Sequence, residues 1–152
     1  MIRYILSVLA LVATLATLSS VTLSQRPTVA QLDEYRTQLR PLLDAIRQVE
    51  SGGDNNATGD NGNAIGAYQI WRVYWQDATD WCKTLKGSYE DVRSSEYAER
   101  VVVAYWHRYA RAAIRDNDLE TLARVHNGGP KGHKKSATDP YWNKVSKLMK
   151  GK

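Results

Sequence analysis

A mainly helical α+β single domain is predicted here, with about five to seven helices and a possible short β-hairpin near residues 54–65. Three observations carry that prediction. Apolar residues recur at three- and four-residue steps along 27–49, 96–114, 119–126 and 139–149, the period of a helix with one buried stripe. Turn formers crowd into 51–65 and 127–130 and punctuate those stretches. Within 51–65, Gly52, Gly53, Gly59 and Gly62 alternate with Asp54, Asn55, Asn56, Asp60, Asn61 and Asn63, too dense a set for regular helix.

Taken in order, the chain begins with Met1-Ile2-Arg3, an apolar run from Ile5 to Leu18, and small polar residues at 19–24. This is the basic start, apolar centre and small-residue end of a signal peptide over 1–24, with cleavage before Gln25 and a secreted, extracellular or secretory-lumen destination. The alternative is an uncleaved anchor, since the apolar run approaches the length of a span. Residues 25–152 form one domain, divided into an N-terminal helical extension at 27–45 and a core unit at 46–149.

Leu32, Tyr35, Leu39, Leu42, Leu43, Ile46 and Val49 mark the first helical stretch, which Pro41 kinks or divides. Glu50 closes it, with Ile46 and Val49 expected to desolvate one side. Tyr68, Trp71, Tyr74, Trp75 and Trp81 fit a helix over 67–81, and 83–94 reads as loop. Ser94 or Ser95 caps a long helix from Glu96 to about Ile114. Asp116-Asn117-Asp118 opens a shorter helix, Leu119 to His126, ended by Asn127-Gly128-Gly129-Pro130. Asp139-Pro140 starts the last helix through Tyr141, Trp142, Val145, Leu148 and Met149.

Charge and composition exclude several classes. The net charge is +5, or +4 without the leader, whose one charged residue is Arg3. A basic exported domain is drawn to anionic polymers. The chain lacks an aromatic-interleaved basic stripe, so specific nucleic-acid binding is not expected. Cys82, the single cysteine, rules out an intramolecular disulfide and reads as a small buried hydrophobe. His107, His126 and His133 lack metal-ligand spacing, so neither metal nor cofactor is expected. No segment after the leader is apolar enough to cross a bilayer, and a monomer is expected.

Glu50 and Asp60 are the candidate catalytic pair. One ends a packed helix and the other lies in a wet glycine-rich loop, environments suited to a proton-holding acid and a charged carboxylate respectively. That division of labour is what acid-catalysed glycoside cleavage uses; a separation near 5 Å would give retention and one of about 6.5–9.5 Å inversion. Each residue also has a structural reading. Glu50 would then be a surface helix end, and Asp60 part of an Asx turn with Asn61-Gly62. Tyr68 lines a cleft or sits in the core, and His126-Asn127 meets substrate or closes a helix. Asp54 and Asp77 are the other acids in reach, Asp77 reading as a solvent or capping residue.

Val49-Glu50-Ser51-Gly52, Gly59-Asp60-Asn61-Gly62, Gly66-Ala67-Tyr68-Gln69-Ile70, Tyr74-Trp75-x-Asp77, His126-Asn127-Gly128-Gly129-Pro130-x-Gly132 and Tyr141-Trp142-x-Lys144-Val145 together resemble the invertebrate-type lysozymes, the destabilase family. The matches run collinearly from about Ile46 to Val145. The resemblance implies a lysozyme-like fold and hydrolysis of the β-1,4 bond between N-acetylmuramic acid and N-acetylglucosamine in bacterial peptidoglycan. It assigns Glu50 as general acid and Asp60 as nucleophile or electrostatic stabiliser; Ser51, Tyr68, Gln69, His126, Asn127 and Gly128 are the candidate substrate-binding positions. Two alternatives stay open: a lytic transglycosylase using Glu50 alone, and an inactive peptidoglycan-binding protein. The family is usually rich in disulfides, and this chain is not. Some members cleave isopeptide bonds through a serine and a histidine; Asn63 stands in the loop region where those members carry serine, so that activity is not extended here.

Overall fold

The computed structural model describes residues 26–151. The expected leader at 1–24 and its cleavage point lie outside the described residues. At Thr28 the hydroxyl accepts from Gln31 N while the Gln31 side chain accepts from Thr28 N, a reciprocal cap that starts α1 (Val29–Gln38). α2 (Arg40–Ser51) carries Pro41 in its first turn, where the missing N–H has no intrahelical partner to lose. The first stretch is therefore two helices divided at Leu39, with Pro41 starting the second. Gly52, at φ 67°, ends α2 in the left-handed conformation glycine adopts without a steric penalty, leaving Glu50 in the last turn.

Three two-residue strands follow. β1 (Thr58–Gly59), β2 (Ala64–Ile65) and β3 (Ile70–Trp71) form an antiparallel sheet in that order, with Thr58 opposite Ile65 and Ile65 opposite Ile70. The hairpin expected near 54–65 is present at 58–65, its turn made by Asp60–Gly62. The helix expected from Ala67 begins only at Arg72, as α3 (Arg72–Trp81). Positive φ at Gly66 (78°) and Gln69 (47°) folds 66–69 into a turn, and the sheet takes Ile70 and Trp71. A Cβ on Gly66 would stand 2.5 Å from Val92 O, so that crossing admits only glycine without a shift.

The long helix is also interrupted. α4 (Ser95–Tyr109) ends where Ala110 leaves helical geometry (φ −141°, ψ 36°), and α5 (Arg111–Arg115) resumes beyond it. Asp118 caps α6 (Leu119–Gly128) by accepting from Thr121 N, and α6 runs past the expected end at His126. α7 (Asp139–Lys150) packs on α2 and α6. Val101 to Trp106 of α4 are buried on every side, because α1, α3 and α6 all pack against that helix. Cys82 is fully buried, its Sγ 3.1 Å from Pro27 O. Among the described residues no helix is long and apolar enough to cross a membrane.

Candidate active site

The last turn of α2, the Asp60 turn, β3 and the end of α6 close around one cleft of about 290 Å³. Glu50 and Asp60 both line it, joined by Gln69, His126 and Asn127. A larger groove, about 1030 Å³, runs between α2 and α7 but holds neither Glu50 nor Asp60. Chemistry rather than size therefore selects the smaller one.

Only 17% of the Glu50 side chain is exposed. Tyr141 donates its hydroxyl to Glu50 Oε1 at 2.8 Å, and His126 Nε2 stands 3.4 Å from the same oxygen. Burial pushes the Tyr141 hydroxyl well above the ordinary phenol range and the Glu50 charge pushes it further, so Tyr141 keeps its proton and remains a donor. The Ile46 side chain belongs to the core, so the groups that meet the carboxyl come from α6 and α7 rather than from its own helix.

His126 is fixed from two sides. Tyr74, whose hydroxyl burial also holds far above the usual range, lies 3.2 Å from Nδ1, and Tyr68 O lies 3.2 Å from Nε2. The tautomer with its proton on Nε2 satisfies these contacts: Nδ1 accepts from Tyr74, and the Nε2 proton points between Tyr68 O and Glu50. Tyr74 is stacked on Tyr105, ring centroids 3.7 Å apart, which makes this wall of the cleft a rigid aromatic block.

Asp60 has a different setting. It is exposed, sits at φ 47° beside Asn61 at φ 56°, and its backbone carbonyl accepts from both Asn63 N and Nδ2. The turn alternative and the cleft position therefore coexist in one residue, since the backbone makes the turn while the side chain lines the cleft. Trp71 Nε1 donates to Asp60 Oδ2 at 3.0 Å.

Three expected substrate positions fall elsewhere. Tyr68 is fully buried, its hydroxyl donating to Glu99 Oε1 at 2.9 Å; only its carbonyl, which meets His126 Nε2, touches a cleft residue, and it is a core residue. Ser51 turns its hydroxyl back onto Ala67 O (2.9 Å), tying α2 to the turn after the sheet. At Gly128 an added Cβ would meet Thr138 Cγ2 at 2.6 Å, so that glycine serves close packing, and the lining glycine is Gly129. Asp54 accepts from Asn56 N in a local turn.

A family model described as Destabilase matches residues 40–148. The chain belongs to the Destabilase family. The lysozyme of Meretrix lusoria is 37% identical over 109 residues, 70% of this chain and 86% of that one. Invertebrate-type lysozyme 6 of Caenorhabditis elegans is 39% identical over 92 residues, 56% of this chain and 67% of that one. Lysozyme 1 of Crassostrea virginica is 37% identical over 86 residues, and this chain spans 45% of its length. Among solved structures, Tapes japonica lysozyme matches with a TM-score of 0.61 at 28% identity, covering 71% of this chain and 88% of that one. Meretrix lusoria lysozyme in complex with Aeromonas hydrophila PliI matches at 0.58 and 35% over the same shares. The α+β arrangement of this Destabilase chain is thus that of lysozymes.

The Destabilase cleft also has walls the sequence reading did not assign. Trp71, Val73, Tyr74, Asp77 and Tyr105 line it, and Asp77 accepts from Tyr109 at 3.0 Å while lying 3.4 Å from Arg108. Spacing contained part of this: Tyr74 and Asp77 are three apart and so share a helix face. The sequence shows Tyr141 only as part of a motif in the last helix. Its reach to Glu50, 91 residues away, has no local signature.

Proposed function

We propose that this Destabilase-family chain is a secreted muramidase, a glycoside hydrolase that cuts the β-1,4 bond between N-acetylmuramic acid and N-acetylglucosamine in bacterial peptidoglycan. The observation that carries the reading is the pairing of a mostly enclosed carboxyl, Glu50, with an exposed one, Asp60, in one cleft. Glu50 gives its proton to the glycosidic oxygen as the bond breaks. Asp60 offers a charged carboxylate to the positive sugar carbon, as nucleophile or as ion-pair partner. Tyr141 and His126 hold Glu50 in a single orientation, while Gln69 and Asn127 present amide donors and acceptors to the sugar.

Clearing of a peptidoglycan suspension tests the roles. Glu50→Gln removes the transferable proton and is expected to cost about 100-fold or more, with an unchanged circular dichroism spectrum. Asp60→Asn is expected to lose most of the activity. The products should carry the mass of added water; anhydro sugars would instead make the chain a transglycosylase using Glu50 alone. Retained anomeric configuration in the first product supports Asp60 as nucleophile or stabiliser, and inversion would reassign it to activating water. Full clearing by Glu50→Gln would overturn the proposal.

A further inference from the structure

Trp71 is the largest of the three large apolar side chains that stay exposed among the described residues, the others being Val73 and Leu148. Its neighbour in the strand, Ile70, is 1% exposed, whereas Trp71 is 45% exposed, because alternate residues of β3 face opposite sides and its side faces the cleft. Its indole N–H donates at 3.0 Å to Asp60 Oδ2, the one hydrogen bond this carboxylate accepts among the described residues. One phenol fixes both backbones beneath that bond. The Tyr89 hydroxyl lies 2.7 Å from Ile70 O, the residue before Trp71, and 3.1 Å from Asn63 O, which closes the Asp60 turn. The Arg72 guanidinium lies over the Tyr89 ring at 4.3 Å, holding that phenol from the other face.

We propose that Trp71 is a positioning and sugar-stacking residue: its N–H aims the Asp60 carboxylate into the cleft, and its exposed indole face receives the C–H face of an N-acetylhexosamine ring. This deepens the muramidase reading and rests on it. A bond from a neutral donor to a carboxylate is stronger than one between neutral groups, and it selects one rotamer of an otherwise mobile exposed side chain. An indole combines a broad apolar face with a polar edge, so one residue meets the sugar and the acid at once. Val73, 60% exposed and also in the cleft, extends the apolar strip beyond the ring.

The two functions separate by mutation, with kinetics on a soluble N-acetylhexosamine oligosaccharide. Trp71→Phe keeps a ring face and removes the N–H; kcat should fall about 10-fold, the low end for one lost hydrogen bond to a charged group, with KM within about twofold. Trp71→Ala removes both, and KM should rise about 10-fold on top of the same kcat loss. In the Asp60→Asn background the Phe substitution should cost less than about twofold, because the charged partner is already gone. If Trp71→Ala fails to fold, Trp71→Phe and the double variant still decide the clamp, and Trp71→Leu, which keeps apolar bulk but lacks a flat ring face, decides the platform by the same rise in KM. A Trp71→Phe enzyme with wild-type kcat, or one whose loss persists unchanged in the Asp60→Asn background, overturns the clamp. A Trp71→Ala enzyme with wild-type KM overturns the platform. Glu50→Gln, run alongside, separates the two levels: if it stays active the muramidase mechanism itself is wrong, and if it is inactive while both Trp71 variants match wild type only this inference fails.

Discussion

Tyr141 is the residue whose importance depends most on a contact made across the fold. Its hydroxyl donates to Glu50 Oε1 from another helix, with burial keeping the proton on the phenol. Tyr141→Phe deletes one oxygen and leaves the ring that is packed there. The loss should be about 1.5 kcal/mol, roughly 10-fold in kcat, with KM nearly unchanged if, as proposed, the bond orients the acid rather than holding substrate. A KM increase with constant kcat would instead mean that the hydroxyl touches the sugar. At this scale the sequence revealed side-chain types better than directions. The motif words bring Glu50, Asp60, Gln69, His126 and Asn127 to one cleft. They could not say that Tyr68 turns inward, because that depends on Glu99, 31 residues away and itself read only as part of a helix.

At the scale of elements, α1, α2 and α4 meet at the buried carboxylate of Glu99. Arg36 Nη2 and Arg40 Nη2 donate to it at 2.7 Å each, and Tyr68 adds its hydroxyl. The cluster ties α1, which precedes the family match, to the centre of the molecule and to the residue whose carbonyl holds His126. Burial disfavours the Glu99 charge, but the hydrogen bonds from Arg40, Arg36 and Tyr68 outweigh it and hold the carboxyl at about 2. A carboxyl lowered from 4.5 stabilises the fold fully above the unfolded value, and that contribution drains away as pH falls toward 2. His107 acts in a higher window. Burial, with Arg111 adding repulsion, lowers it from 6.5 to about 4, so the unfolded chain takes up a proton first and stability falls as pH drops from about 6.5 to 4. Denaturant titrations should therefore show two acid losses. Glu99→Gln should shrink the lower one, leaving the part due to Asp33, whose carboxyl Arg100 and Arg36 also lower, and should cost about 3 kcal/mol at neutral pH, the low end for breaking a buried pair, since Arg40 is partly solvated. An unchanged midpoint at every pH would mean that the cluster contributes nothing net. The helices were legible because a 3.6-residue period persists over ten or more positions. Two-residue strands have no period to read, so the aromatic spacing over 67–81 predicts one helix where β3 precedes α3, and the break at Ala110 is a backbone event inside a stretch whose apolar period continues.

The whole molecule combines a single buried cysteine with a net charge of +5 over its full sequence. Its stability draws on the core around α4 and on ion pairs such as those of Glu99 and Asp33, so thiol reductant should leave its melting temperature unchanged. Charge matters differently at this scale. Lys144, Lys147 and Lys150 lie exposed along α7, and Lys131, Lys134 and Lys135 occupy the loop before it. None of the six is joined to a carboxylate in the ion pairs among the described residues. Bacterial walls are large anionic surfaces, so this cationic face should gather the protein onto them without touching the chemistry in the cleft. Surface attraction of that kind is screened beyond about 10 Å at 0.1 M salt and about 3 Å at 1 M. Raising salt over that range should slow clearing of insoluble wall several-fold while leaving kcat on a soluble oligosaccharide nearly constant. A parallel fall in both assays would place the salt-sensitive charges in the cleft itself, and the exposed lysines would then be no more than a solvated face.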